Sequence, residues 1–351
     1  MEPPTYVILS TFPPLHCGIA RYAAQHAECL RRQGGRVVTI GLPGSEADSI
    51  VDARGGRNPL RVLGAARALG AEPRESSLAI HWHDDHYFVG GFRQRLPTAI
   101  ALARLLSAFA DTEIICHETY PAERVHGVAK AVLRALYVRA RRWAWLHATR
   151  LAFHSDSERR QAEEAHGGRW PDARVVVRSH SEFLGKHRDI TSAEARQELG
   201  IPAGVFLFLC IGFWSEHKGY HLAAEALHRI ADDRVRLAIV GSVREETPEA
   251  LAYARRLREV AAAEPRVQLV ERFVSDEEYD TWTCAADVVV APYQKAFSSS
   301  VIARAKLFGR RVIVTGVGGL ADQIDGDDFL VGNPAELAEA MTCAAGAGPC
   351  A

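Results

Sequence analysis

No stretch of this chain approaches the ~18 uninterrupted apolar residues that a membrane-spanning helix requires. Excess charge of either sign is also missing: 42 Lys and Arg stand against 43 Asp and Glu, a formal net charge of −1. The whole molecule lacks the field that draws a protein onto nucleic acid, and no nucleic-acid partner is expected. Seven cysteines, an odd number, are scattered from Cys17 to Cys350 without a C-x-x-C pair. That usage fits a reducing, cytoplasmic setting better than a disulfide framework. The opening stretch MEPPTYVILSTFPPLH holds an apolar run of only four residues with no basic region before it, so a secretory signal is not expected.

The composition that remains, 48% hydrophobic and 24% charged, can supply real cores, and at ~150 residues per domain a chain of this length suggests two of them. Tyr6 to Leu9 reads as a strand; Ile19, Tyr22, Ala23, His26, Ala27 and Leu30 recur at helical spacing; Gly34 and Gly35 stop the helix before a strand from Val37 to Ile40. This βαβ alternation continues to Phe153 and predicts a parallel sheet. The pattern breaks in the polar stretch between Arg174 and Gly200, then resumes from Val205 to Thr315, with Ser275 and Glu278 predicting a capping box. The expectation is α/β, two tandem doubly wound, Rossmann-like domains spanning 1–180 and 181–351.

In open parallel sheets, ligands bind beyond the carboxyl ends of the strands, so two such domains facing each other would bound a cleft. After the first strand, the loop through His16 leads to Gly18, where a helix starts; it is either a turn glycine or a place where an anion nears the backbone. After Ile211, Lys218 stands just before a helix, as a phosphate-binding ammonium or a solvated lysine. After Ala291, Tyr293 precedes Ser298, Ser299, Ser300 and Val301 at another helix start, where simple capping needs only one serine. Tandem serines together with Lys218 suggest a diphosphate held from two loops. The run from Gly316 to Ala321 fits G-x-G-x-x-A, but too little chain follows for a dinucleotide unit.

His81 and His83 would face one side of a strand as two zinc ligands, but no third or fourth ligand at sensible spacing accompanies them. Histidines lining a polar cleft are the favoured reading, and no metal is assigned. His117, following a strand from Glu113 to Cys116, is either a core histidine or a cleft residue. The segment 124–160 carries nine Lys and Arg against two acidic residues, with Trp143 and Trp145. Lys130, Arg134 and Arg141 share a helix face opposite Val132, Leu136, Ala140 and Trp143. The segment fits peripheral contact with an anionic membrane, or a solvated helix packed on its own sheet.

Taken together these residues resemble the retaining nucleotide-sugar glycosyltransferases of the GT-B fold, family four. GIARYAAQHAECLRRQGGRVVTI is similar to the family's opening G-[IV]-A-x-Y motif, and LCIGFWSEHKGYHLAAEAL to its G-R-x-x-x-x-K-G helix entry. ERFVSDEEYDTWTCAADVVVAPY and SSSVIARAKLFGRRVIVTGVGGLADQI resemble the A-D-x-x-x-x-P-[SY] segment and the closing block. The resemblance implies a metal-independent glycosyltransferase without cofactor, taking a nucleotide-sugar donor and a hydroxyl acceptor. It implies that Lys218 holds the donor diphosphate, that Ser299, Ser300 and Val301 offer it backbone donors, and that Gly18 lets it enter. His117 would contact the donor sugar beside the reacting carbon. Two departures stand out: the family arginine is Phe213 here, and its two glutamates fall on Ala296 and Arg304. They motivate the alternatives of a catalytically silent nucleotide-sugar-binding protein or a sugar-nucleotide epimerase.

Overall fold

The computed structural model describes residues 3–87, 92–118 and 127–346. Residues 124–126 of the basic segment, and Cys350, lie outside the described residues. The chain divides into two units, Met1–Arg178 and Ser179–Ala351.

Unit 1 holds strands β1 (Thr5–Ser10), β2 (Arg36–Gly41), β3 (Ser49–Ile50), β4 (Ser76–His83), β5 (Asp111–Glu118), β6 (Arg150–Phe153) and β7 (Val175–Val177). All pair in parallel in the order β3-β2-β1-β4-β5-β6-β7. Its helices are α1 (Gly18–Arg32), α2 (Arg61–Ala68), α3 (Asp84–Tyr87), α4 (Phe92–Ala108), α5 (Val128–Trp145) and α6 (Asp156–Ala165). The unbroken apolar run of β1 reflects burial on both faces: Val7 and Leu9 join one core while Ile8 packs with Ala23 and Ala27 of α1.

Unit 2 holds β8 (Phe206–Ile211), β9 (Val235–Gly241), β10 (Val267–Glu271), β11 (Val288–Ala291), β12 (Arg311–Thr315) and β13 (Phe329–Val331), again all parallel, in the order β10-β9-β8-β11-β12-β13. Around them lie α7 (Ser192–Glu198), α8 (Tyr220–Leu227), α9 (Pro248–Ala263), α10 (Asp276–Ala285), α11 (Ser300–Leu307) and α12 (Pro334–Ala344). Leu207 to Ile211 of β8 and all of β11 are buried, and each such leucine or isoleucine stabilises by roughly 1.5–3 kcal/mol.

Both sheets reverse their strand order once, between β1 and β4 and between β8 and β11. Loops leaving the carboxyl ends of those four strands diverge, and the gap they leave is where an open α/β sheet takes its ligand. Among the described residues no helix is long and apolar enough to cross a membrane. Cys17, Cys29, Cys116, Cys210 and Cys284 are free thiols, whereas Cys343 is disulfide-bonded, which the scatter of cysteines did not signal.

Candidate functional site

At the reversal point of unit 2, three loops are pinned to one another. The loop after β8 carries Gly219, whose φ of +64° is left-handed and whose added Cβ would lie 2.1 Å from the Pro292 carbonyl oxygen. Only glycine fits there. The Gln294 amide donates to the His217 carbonyl at 2.7 Å, and the Thr315 hydroxyl donates to the Tyr293 carbonyl. Gly318, with φ +57°, would place a Cβ 1.9 Å from the Ala296 carbonyl oxygen, and the Gly319 amide donates to the Phe297 carbonyl at 2.6 Å. The G-x-G-x-x-A run thus serves close loop packing, and only a short 3-10 turn, Ala321–Gln323, follows it.

This pinning links Lys218 through Tyr293 to Ser299, one residue before α11. The Lys218 ammonium lies 3.8 Å from the centre of the Tyr293 ring, and the Tyr293 hydroxyl is 3.5 Å from Ser299 Oγ. Tyr293 is completely buried, which corrects the expectation of a cleft-lining side chain: it is the platform between the lysine and the serines. Ser299 also needs correcting. Its amide donates to Gln323 Oε1 at 2.7 Å, and Gln323 Nε2 returns a bond to the Ser299 carbonyl at 3.0 Å. The Ser299 peptide is therefore held by a side chain and is no free donor. Ser300 and Val301 open the helix proper, where the geometry of an α-helix leaves N–H groups without an internal acceptor. Ser298 Oγ meets His180 Nε2 at 2.6 Å. The three serines thus have three different tasks.

The two departures have definite partners. Phe213 stacks with Phe273 at 6.2 Å between ring centres. Arg304 points into the protein, bonding Asp280 Oδ1 at 2.7 Å and Asp276 Oδ1 at 3.0 Å.

In unit 1, Gly18 opens α1, and a Cβ added there would meet nothing within 4 Å. His16, on the loop before it, is exposed. His117 lies inside β5 and not after it. The β4–β5 register shifts after Trp82, pairing Trp82 with Cys116 but His83 with Glu118, so His117 is the extra residue of a bulge, a feature frequent beside functional sites. His83 and His81 part company. The Asp85 amide donates to His83 Nδ1 at 3.3 Å, leaving His83 Nε2 to donate to Glu118 at 3.0 Å. His81 is wholly buried, correcting its place at a polar cleft, and bonds His26 Nδ1 at 3.1 Å and His117 Nε2 at 2.9 Å. Among the described residues no group of three or more His, Cys, Asp or Glu is placed to hold a metal ion.

Burial holds His26 and His154 down to about 4, helped by the charge of Arg178, and pushes His81 well below the usual histidine range. His154, directly after β6, sits 5.3 Å from the His117 ring. The sequence reading passed over it, although its position past a strand end is the same signal that drew attention to His117.

The basic helix buries one of its cations and exposes much of its apolar stripe. Arg141 is buried, paired to Asp84 at 3.1 Å and set over the Tyr137 ring, while Val128, Val132, Leu136 and Trp143 are exposed.

Comparison with known proteins follows the same division. Residues 205–345 match the family model of glycosyl transferases group 1. That span runs from the start of β8 to the end of α12. Comparison with curated proteins gives no match. Among solved structures, the chain resembles Anabaena HepE in complex with UDP, with TM-score 0.65 and 15% identity over 97% of this chain and 89% of that one. It also resembles sucrose-phosphate synthase from Thermosynechococcus elongatus (0.67, 17%, 97% and 89%). The catalytic domain of Arabidopsis thaliana starch synthase IV, bound to ADP and acarbose, is similar in the same way (0.67, 13%, 99% and 92%). The expected fold, two tandem Rossmann-like domains as in GT-B glycosyltransferases, is the fold observed.

Proposed function

We propose that the chain is a glycosyltransferase that moves a sugar from a nucleotide-diphosphate sugar to a hydroxyl acceptor, retaining anomeric configuration and working without a metal ion. The observation that carries this reading is the pinned loop system after β8, β11 and β12, in which the Lys218 ammonium lies on the ring of Tyr293 and the hydroxyl of that ring lies 3.5 Å from Ser299 Oγ, one residue before α11. Charge developing on a departing phosphate is what a preorganised cation and helix N–H groups stabilise best. In this reading Lys218 and the amides of Ser300 and Val301 hold the donor diphosphate. His117 meets the transferred sugar, and Gly18 leaves room for a ligand beside α1. The family match over unit 2, and neighbours crystallised with UDP or ADP, support a nucleoside diphosphate as the common part of the donor. Unit 1 then serves the acceptor, and the exposed apolar face of α5, rimmed by Lys130 and Arg139, rests on an anionic membrane.

Titration with UDP, ADP and GDP, followed by product analysis, tests the assignment. Lys218→Ala is expected to weaken nucleoside diphosphate binding about tenfold or more, the worth of a charge-assisted hydrogen bond, while Lys218→Arg retains part of it. Unchanged affinity in a folded Lys218→Ala protein removes the assignment. A second reading, binding without transfer, is favoured by Arg304 being engaged with Asp276 and Asp280 and by Phe213 at the arginine position. Donor binding with no product across a panel of acceptors would establish it, and conversion of donor alone would point to an epimerase.

A further inference from the structure

Behind His117 the fold assembles a row of imidazoles. His26 reaches in from α1, His81 from β4, and His117 from the bulge of β5. His26 Nδ1 and His81 Nε2 are 3.1 Å apart, and His81 Nδ1 and His117 Nε2 are 2.9 Å apart. We infer that His26 and His81 are positioning residues that tie the tautomer of His117 to their own and hold its ring in one orientation, and so set its hydrogen-bonding role toward the transferred sugar. This rests on the reading of His117 given above.

A neutral imidazole has one N–H and one lone pair, and His81 uses both nitrogens on other imidazoles. If its Nε2 donates to His26, its Nδ1 must accept from His117; if its Nδ1 donates to His117, its Nε2 must accept from His26. Any other combination sets two N–H groups or two lone pairs face to face. The three tautomers are therefore chosen together, and His26, two rings away from the sugar, takes part in the choice. A charged ring would escape this constraint by donating on both sides, but burial keeps His26 and His81 neutral near pH 7. The ring planes are held as well. Tyr22 of α1 stands edge-on to His81, His117 and His154, at 5.7, 5.1 and 5.2 Å between centres. His154 Nδ1 lies 3.3 Å from the Arg178 carbonyl.

The test is long-range proton–nitrogen NMR on the full chain with 15N-labelled histidine and no ligand. Wild-type His117 is expected to show one protonated and one bare ring nitrogen, and averaged nitrogens overturn the inference whatever the variants do. His26→Leu removes the partner of His81 Nε2 and is expected to move both His117 nitrogens toward their mean; an unchanged His117 pattern in a folded variant overturns it. Where wild type transfers sugar, His26→Leu is expected to lower kcat about tenfold, the worth of one hydrogen bond, with the donor KM little changed. A fall confined to KM counts against the positioning role. Absence of any transfer by wild type defeats the functional reading alone, because the NMR result stands without it.

Discussion

Arg304 occupies the position of a glutamate in the resembled family, and its side chain is fully engaged elsewhere. Its guanidinium bridges Asp280, which is wholly buried, and Asp276, and lies over the Tyr279 ring. The other oxygen of Asp280 accepts the amides of His187, at 2.6 Å, and Arg188, at 3.2 Å. One residue thus fastens α11 to α10 and to the segment before α7. Removing one partner of a buried ion pair leaves the other as an uncompensated charge, which costs about 3–5 kcal/mol. Arg304→Ala is accordingly expected to lower the unfolding free energy by that amount, read as a lower urea midpoint at unchanged m-value. Arg304→Glu, which would restore the family residue, is expected to be worse, since it sets a third carboxylate beside two. A midpoint for Arg304→Glu at or above that of Arg304→Ala would show that the cluster does not depend on the guanidinium.

Among the elements, α5 shows what a pattern of apolar residues leaves undecided. Its sequence fits membrane contact or packing on its own sheet, and in the fold Arg141 is 1% exposed and Val128 83%. Helical periodicity identifies two faces but does not say which is inward, and here Asp84, a residue of α3, decides by pairing with Arg141. No acidic residue lies between Val128 and Trp145, so the outward stripe sits in a basic setting, as in helices that lie on anionic lipid. Binding to phosphatidylglycerol vesicles in a sedimentation assay is expected, with neutral phosphatidylcholine vesicles binding far less. The double variant Val132→Asp, Leu136→Asp should stay folded and lose the binding. Vesicle binding equal to wild type in that variant would place the contact elsewhere. The alternation of strand and helix, by contrast, was plain in the sequence because the central strands are buried on both faces, and strand ends then singled out Gly18, Lys218 and His117 as candidates. What the sequence could not show depends on contacts across the fold: the bulge at His117, the Gln323 grip on Ser299, and the row through His26. The predicted capping box is half correct. Ser275 caps α10, but the Glu278 side chain goes to Arg272, and the complete box is at Thr191 and Glu194 of α7.

For the molecule as a whole, the buried imidazoles set the two units apart in their response to acid. Unit 1 holds His26 and His154 at about 4, and His81 and His166 well below the usual range, all mainly through burial. Unit 2 has His221 lowered, while its depressed groups are chiefly carboxylates such as Asp232 and Glu264, both at about 2. A histidine with a folded value below its unfolded one is protonated more readily in the unfolded chain. The unfolded state therefore binds more protons between pH 6.5 and 4, and stability falls as pH falls through that window. A drop from 6.5 to about 4 corresponds to about 3 kcal/mol per residue at its acid end. Depressed carboxylates act lower, losing their contribution as pH falls from about 4.5 toward 2. Acidification from pH 7 to 5 is thus expected to weaken unit 1 first. Hydrogen exchange, corrected for the intrinsic pH dependence of amide exchange, should show protection lost across β1, β4 and β5 while β8, β9 and β11 keep theirs. The His154→Asn variant should flatten the effect. Equal loss in both sheets, or earlier loss in unit 2, would mean that the imidazoles take up protons without unfolding the element that buries them.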